Sequence, residues 1–211
     1  MTVHELHLAL EQRIPASLSC DWDNDGLAVC PDENAPVTGV LCVLDATPAA
    51  VDLALERGCN VILTHHPLLF HPLRALSAAT PIAALARRCL LSGISVLCYH
   101  TRADAVEGGV NDCLLRALGL TPVGEAAEGQ LMRVGRLPSP LSPEDFARYA
   151  ADRLSAGAVR YSVAPGRPVS LVAVCGGSGR EFLPEAISRG CDAYLSGELG
   201  HHTINDAPMS G

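Results

Sequence analysis

Aromatic residues are scarce in this chain of 211 residues: Phe, Trp and Tyr together make up 4% of it, and there is one Trp. That scarcity argues against a β-sandwich built around large rings. The Ala-, Val- and Leu-rich remainder, within a hydrophobic total of 48%, suits helices packed on a mostly parallel sheet. Positive charge is also lacking. The formal net charge is −8, and binding to a duplex requires a basic footprint that displaces counterions, so nucleic acid is not an expected partner. A small phosphorylated ligand needs only a local positive centre, which a bound metal ion can supply. The apolar runs are strand-sized and interrupted, and the start Met1-Thr2-Val3-His4-Glu5-Leu6 has no basic region leading into an apolar core. The expectation is a cytoplasmic protein with no membrane partner. Nine cysteines include no Cys-x-x-Cys pair and mostly sit in apolar runs. They read as buried free thiols in a reducing compartment rather than as a disulfide framework.

What is present is an alternation of short apolar runs and amphipathic stretches. Thr2 and Glu5 have capping-box spacing, opening a helix that continues through Leu10 and ends before Pro15. Residues 21–27 form a polar turn that holds the Trp. Residues 40–44 read as a buried strand, 49–57 as a helix stopped by Gly58, and 60–63 as a strand ending in Thr64-His65-His66-Pro67. Pro81 opens a helix with Ile82, Leu85, Ala86 and Cys89 on one face. A third strand over 94–98 runs into Tyr99-His100-Thr101-Arg102-Ala103-Asp104, followed by a helix over 110–118.

Residues 121–142, rich in Gly, Pro and Glu, read as a connection. After it come a helix over 144–154, a strand over 171–175, the loop Gly176-Gly177-Ser178-Gly179, a helix over 181–189 and a strand over 193–196. Such alternation implies parallel βαβ units, hence an α/β fold with mostly parallel or mixed sheets flanked by helices. There is also an internal echo. Residues 57–64 (RGCNVILT) resemble 189–196 (RGCDAYLS), with His65-His66 opposite Gly197-Glu198. Two related α/β domains, 1–120 and 121–211, are the expected organisation, although any pair of βαβ units shares some of this pattern.

Candidate ligands stand at three expected strand ends: His65-His66, His100 with Asp104, and Glu198 with His201-His202. Imidazole and carboxylate suit Zn, Mn, Fe, Co or Ni, and strand ends in an open α/β sheet face a ligand crevice. Adjacent residues of an extended strand point to opposite sides. His65 and His66 therefore share an ion only if a loop re-aims them, and otherwise each serves its own. Plainer roles stand beside these: a turn at His65-His66, a cap at Asp104, a backbone hydrogen bond at His100, a strand terminator at Asp45. The Gly176–Gly179 stretch reads as a phosphate cradle or, more simply, as a turn.

Several segments together resemble the NIF-three-like proteins, also called GTP cyclohydrolase 1 type 2 homologues. They are residues 22–27 (WDNDGL), 44–48 (LDATP), 64–70 (THHPLLF), 100–104 (HTRAD), 109–112 (GVND) and 192–198 (DAYLSGE), in the family's order and over nearly the whole chain. The resemblance implies two related α/β domains, a ring-like homohexamer and a two-metal centre in each subunit. It implies His65, His66 and Asp104 as metal ligands, with His100 and the segment after Glu198 lining the cleft and Asp45 nearby. Family members continue to another strand with a His-x-x-x-Glu-type motif that completes both metal shells, and neither residue of that pair occurs here. The second domain is thus expected to be shortened, with His201, His202 and Glu198 as replacement ligands.

The expected activity is metal-dependent hydrolysis of a nucleotide-like or other phosphorylated small molecule, with His100 or His201 moving a proton. The family name suggests ring-opening of GTP. The alternative is a non-catalytic metal-binding or protein-interaction module.

Overall fold

The computed structural model describes residues 1–124, 129–163 and 167–209 and divides into two units, Met1–Ala103 and Asp104–Gly211. The division falls ahead of the 120/121 boundary expected from sequence because Leu115 and Leu118 pack with Phe146, Val172 and Val174 of the second unit.

The first unit begins with helix α1 (Val3–Glu11), capped as its spacing requires: the Thr2 hydroxyl accepts from the Glu5 N–H, and the Glu5 carboxylate accepts from the Thr2 N–H. There follow β1 (Gly26–Val29), β2 (Val40–Val43), α2 (Pro48–Glu56), β3 (Val61–Thr64), α3 (Pro81–Leu91), β4 (Ser95–Cys98) and the start of the short α4 (Thr101–Ala105), within which the division falls. The sheet order is β1-β4-β3-β2, with β2, β3 and β4 parallel and β1 antiparallel to β4. Because side chains alternate across a strand, Val61 and Leu97 face α1 with Val3, whereas Ile62 and Val96 pack with Val51, Leu85 and Cys89 of α2 and α3. Two expectations are corrected here. β2 is an edge strand and so is half-exposed rather than buried. In α3 the buried stripe is Ala83, Leu85, Ala86 and Cys89, and Ile82 is exposed.

In this unit the ends are tied by a buried ion pair. Arg102 is 2% exposed; its Nε and Nη2 donate to the two Asp25 oxygens, each at 2.9 Å, and its Nη1 donates to Glu11 at 2.6 Å. Gly26 next to it has φ +98°, and a Cβ there would stand 3.2 Å from Arg102 Nη2. Conformation and space both demand glycine.

The second unit holds α5 (Val110–Ala117), β5 (Thr121–Pro122), β6 (Arg133–Leu141), α6 (Pro143–Leu154), β7 (Val169–Ser178), α7 (Leu183–Ser188), β8 (Ala193–Glu198) and α8 (His201–Asp206). Its sheet runs β5-β6-β7-β8, with only β7 and β8 parallel. The stretch 121–142 is therefore not a mere connection; 125–128 within it lie outside the described residues, and β5 and β6 account for much of the rest. Its prolines misled: Pro138 and Pro140 fall where the β6–β7 register shifts, between Arg136 and Leu141, where no ladder N–H is needed, and Pro122 sits on the edge strand β5.

β7 also runs through Gly176 and Gly177, correcting the loop reading. The Gly176 N–H donates to Asn111 and the Gly179 N–H to Ser196, while a Cβ on Gly197 would stand 2.9 Å from the Gly177 carbonyl. Gly177 and Gly197 let β7 and β8 approach closely, and two of the four N–H groups of residues 176–179 are held internally.

The echoing stretches carry matching hydrogen bonds, the first of which also follows the helix stops at Gly93 and Gly119. In β2–α2–β3, the Cys59 N–H bonds the Ala54 carbonyl after Gly58 (φ +68°), and Asn60 Oδ1 accepts from the Thr38 N–H at 2.9 Å. In β7–α7–β8, the Cys191 N–H bonds Ala186 after Gly190 (φ +70°), and Asp192 Oδ2 accepts from the Ser170 N–H at 3.1 Å. All nine cysteines are free, but Cys42 on the edge strand and Cys113 are exposed, unlike the buried Cys89, Cys98 and Cys175. No helix among the described residues is long and apolar enough to cross a membrane.

Candidate metal centre

β3 ends at Thr64, and the chain bends at His65-His66 ahead of Pro67. The bend is fixed by the backbone: the His66 N–H donates to the Leu44 carbonyl at 3.0 Å, and the Cys98 thiol donates to the His65 carbonyl at 3.1 Å. On the neighbouring strand the Tyr99 N–H donates to the Thr64 carbonyl at 3.0 Å, which sets His100 just beyond the sheet edge. The re-aimed rings converge. Centroids are 5.1 Å apart for His65 and His66, 5.2 Å for His65 and His100, and 5.8 Å for His66 and His100; one ring nitrogen from each lies within 4.8 Å of the others.

Two of the three imidazoles are oriented by carboxylates. His66 Nδ1 is 2.8 Å from Asp45 Oδ1, and His100 Nδ1 is 3.0 Å from Asp23 Oδ1. Each leaves Nε2 for a ligand, the arrangement by which a carboxylate fixes the tautomer of a metal-binding histidine. Asp23 is itself held by Thr101, whose N–H and hydroxyl donate to it at 3.0 and 2.6 Å. Burial pushes the Asp23 carboxyl up, but hydrogen bonds from Thr101 and His100 outweigh it and hold the group below the usual carboxylate value. Burial, then the neighbouring His100 and His66, push the His65 imidazole down. That keeps it neutral, the form that binds a cation. Donors around one ion stand roughly 3–4 Å apart, so small side-chain rotations would close this group on a divalent cation, with Asp23 and Asp45 balancing its charge. The donor set fits such an ion.

The sequence-derived candidates thus divide. His65, His66 and His100 come together, and all three belong to the first unit. Asp104 is partly buried in α4 and is the first residue of the second unit. His201 and His202 are exposed on α8, their rings 5.6 Å apart, with His201 Nε2 3.0 Å from Asn205. Glu198 ends β8 and is exposed. Sequence reasoning missed Asp23 altogether and left Asp45 without a definite role. Both sit in segments already singled out, but which carboxylate meets which imidazole is decided across separations of 77 and 21 residues.

The family model for Duf34/NIF3 (NGG1p interacting factor 3) matches residues 1–211. A Streptomyces coelicolor protein named GTP cyclohydrolase 1 type 2 homolog is 34% identical over 96% of this chain and 74% of its own length. A Lactococcus lactis protein of the same name is 32% identical over 100% of this chain and 83% of its own. Among solved structures, Staphylococcus aureus protein SA1388 superposes with a TM-score of 0.91 at 25% identity, covering 100% of this chain and 84% of that one. Reduced HcgD from Methanocaldococcus jannaschii superposes with a TM-score of 0.79, also at 25% identity, covering 100% of this chain and 84% of that one. The chain belongs to the Duf34/NIF3 family.

Proposed function

We propose that this member of the Duf34/NIF3 family is a metal-dependent hydrolase of a nucleotide-like or other phosphorylated small molecule, with His65, His66 and His100 holding divalent metal. The observation that supports this most is the convergence of three imidazoles, two of them backed by carboxylates. Zn, Mn, Fe, Co and Ni all suit imidazole donors. Asp104 is proposed as a carboxylate ligand on the strength of the sequence motif alone, and two ions per subunit on the strength of the family resemblance. Bound divalent ions supply Lewis acidity and bring the pKa of water toward neutrality.

The chain's own contribution is orientation and proton handling. Asp45 and Asp23 fix the rings of His66 and His100, and the depressed basicity of His65 keeps that ring available. With His100 committed to metal through Nε2, His201 is the proposed proton carrier. Ring-opening of GTP is the reaction suggested by the relatives' name. A homohexamer in the cytoplasm, with no nucleic-acid or membrane partner, completes the proposal.

The second reading is a non-catalytic metal-binding or protein-interaction module. It draws on the all-imidazole character of the converging group, which contains no carboxylate of its own. Turnover distinguishes the two. Protein reconstituted with Mn, Co or Zn should hydrolyse GTP or a member of a phosphoester panel, and His65→Ala should abolish this. Stoichiometric metal without turnover of any panel member leaves the passive reading.

A further inference from the structure

The single Trp of the chain and one of its three Phe residues stand beside the three histidines, and neither is buried. Trp22 is 56% exposed and Phe70 41%. Their ring centroids are 6.0 Å apart, and those of Trp22 and Phe70 lie 6.2 and 6.5 Å from that of His100, all edge to face. Phe70 is followed by His71, whose ring is 4.9 Å away. The two segments are held in place from below: Asn24 donates to the Leu69 carbonyl, and Leu68 is buried in the core that includes Ile62 and Val96. In a chain with so few aromatics, two large rings kept at the surface next to the candidate metal centre are an unspent binding surface.

The charges nearby say what would occupy it. The site's own side chains bring the carboxylates Asp23 and Asp45, and the arginine two residues after His100 is buried and paired with Asp25 and Glu11. Neither feature favours an anionic group on the aromatic side, whereas a flat ring can stack on Trp22 and Phe70 without needing a countercharge.

We propose that Trp22 and Phe70 form a stacking subsite for a planar nitrogen heterocycle, placing its polar edge toward His65, His66 and His100. This rests on the reading of that group as a metal-dependent active site, and it assigns recognition of the substrate's ring to residues of the first unit.

Trp22 is its own probe, because no other Trp contributes to fluorescence. Full-length protein is excited at the red edge of Trp absorption and titrated with guanosine, ribose 5-phosphate and Zn2+, with Zn2+ binding also followed by calorimetry. Guanosine should change the emission saturably and ribose 5-phosphate should not. Phe70→Ala should weaken guanosine by roughly 5- to 150-fold, the range for loss of one base–aromatic stack, while Zn2+ affinity is unchanged. Trp22→Ala, read by calorimetry, should do the same. No response to guanosine in protein that binds Zn2+, or equal guanosine affinity in Phe70→Ala, overturns the subsite. So does a fall in oligomeric mass in Phe70→Ala with guanosine silent, which makes the patch a contact between copies. Guanosine binding without Zn2+ binding supports the subsite and defeats the metal reading instead.

Discussion

β3 and β8 close equivalent βαβ units, β2–α2–β3 and β7–α7–β8, and the two frames match at the helix stop, the glycine after it and the side chain that caps the preceding strand. Past the strand the two part ways. After β3 the chain bends, and its two histidines turn toward His100. β8 instead runs on through Ser196 and Gly197 to an exposed Glu198, with Gly197 pressed against the Gly177 backbone. The same scaffold therefore yields an imidazole cluster in one unit and a close backbone contact in the other. In the second unit the apolar side chains of α6, α7, β8 and α8 instead line a cavity of about 230 Å³. A shared frame fixes where a strand ends, and the residues just past its end decide whether that place is chemical.

The largest expected effect tests how far the first unit depends on its buried ion pairs. Arg102→Met leaves Asp25 and Glu11 without their partner, and removing one member of a buried pair costs about 3–5 kcal/mol. Arg133→Met should cost less, because its carboxylate partner Asp112 is 24% exposed whereas Asp25 is 5% exposed. Urea unfolding of the two variants checks the order; equal losses would erase this contrast between the units.

Next come the proposed ligands. His65→Ala, His66→Ala or His100→Ala should each lower Co2+ or Zn2+ affinity by at least about 100-fold by isothermal titration, judged against the 10–100-fold typical of losing a supporting residue. His201 is proposed to carry a proton and not to hold metal, so His201→Ala should change that affinity less than about threefold. A comparable loss in His201→Ala would move the site's boundary to include the second unit.

The supporting carboxylates should have an intermediate effect. Asp23→Asn and Asp45→Asn each remove the acceptor that orients a ring, and about a 10–100-fold loss of metal affinity is expected. Unchanged affinity would mean that the imidazoles are placed by their backbone alone.

The smallest effect tests the similarity rather than the difference. Asn60→Ala and Asp192→Ala each remove the side chain that caps a neighbouring strand, and each should cost on the order of 1 kcal/mol in urea unfolding. A loss confined to one of them would show that the matching hydrogen bonds do unequal work.

Much of this was legible in the sequence, for physical reasons. The capping box at Thr2 and Glu5, the glycine stops at 58, 93 and 119 and the apolar runs at 61–64 and 95–98 are local signals, and local interactions enforce them. His65 and His66 stood out because they end such a run. β6 was hidden, since its prolines are tolerated only by a register shift that depends on β7, and its Gly135 is explained only by the close approach of Leu115 and Leu120. The exposure of β2 and Ile82 depends on which strand takes the sheet edge and how α3 is rotated on it. Asp23 was hidden for a similar reason. A carboxylate in a polar turn looks solvated until the fold brings His100 and Thr101 to it.

That the end of β3 and the end of β4 together build a metal-binding group is tested most directly by Co2+ reconstitution with visible absorption and metal analysis. Ligand-field bands from nitrogen coordination and at least one Co2+ per chain are expected. Both the bands and the metal should be lost in a His65→Ala/His66→Ala/His100→Ala variant that remains folded. The absence of such bands in the unaltered protein, or their persistence in the triple variant, would contradict a metal centre at these strand ends.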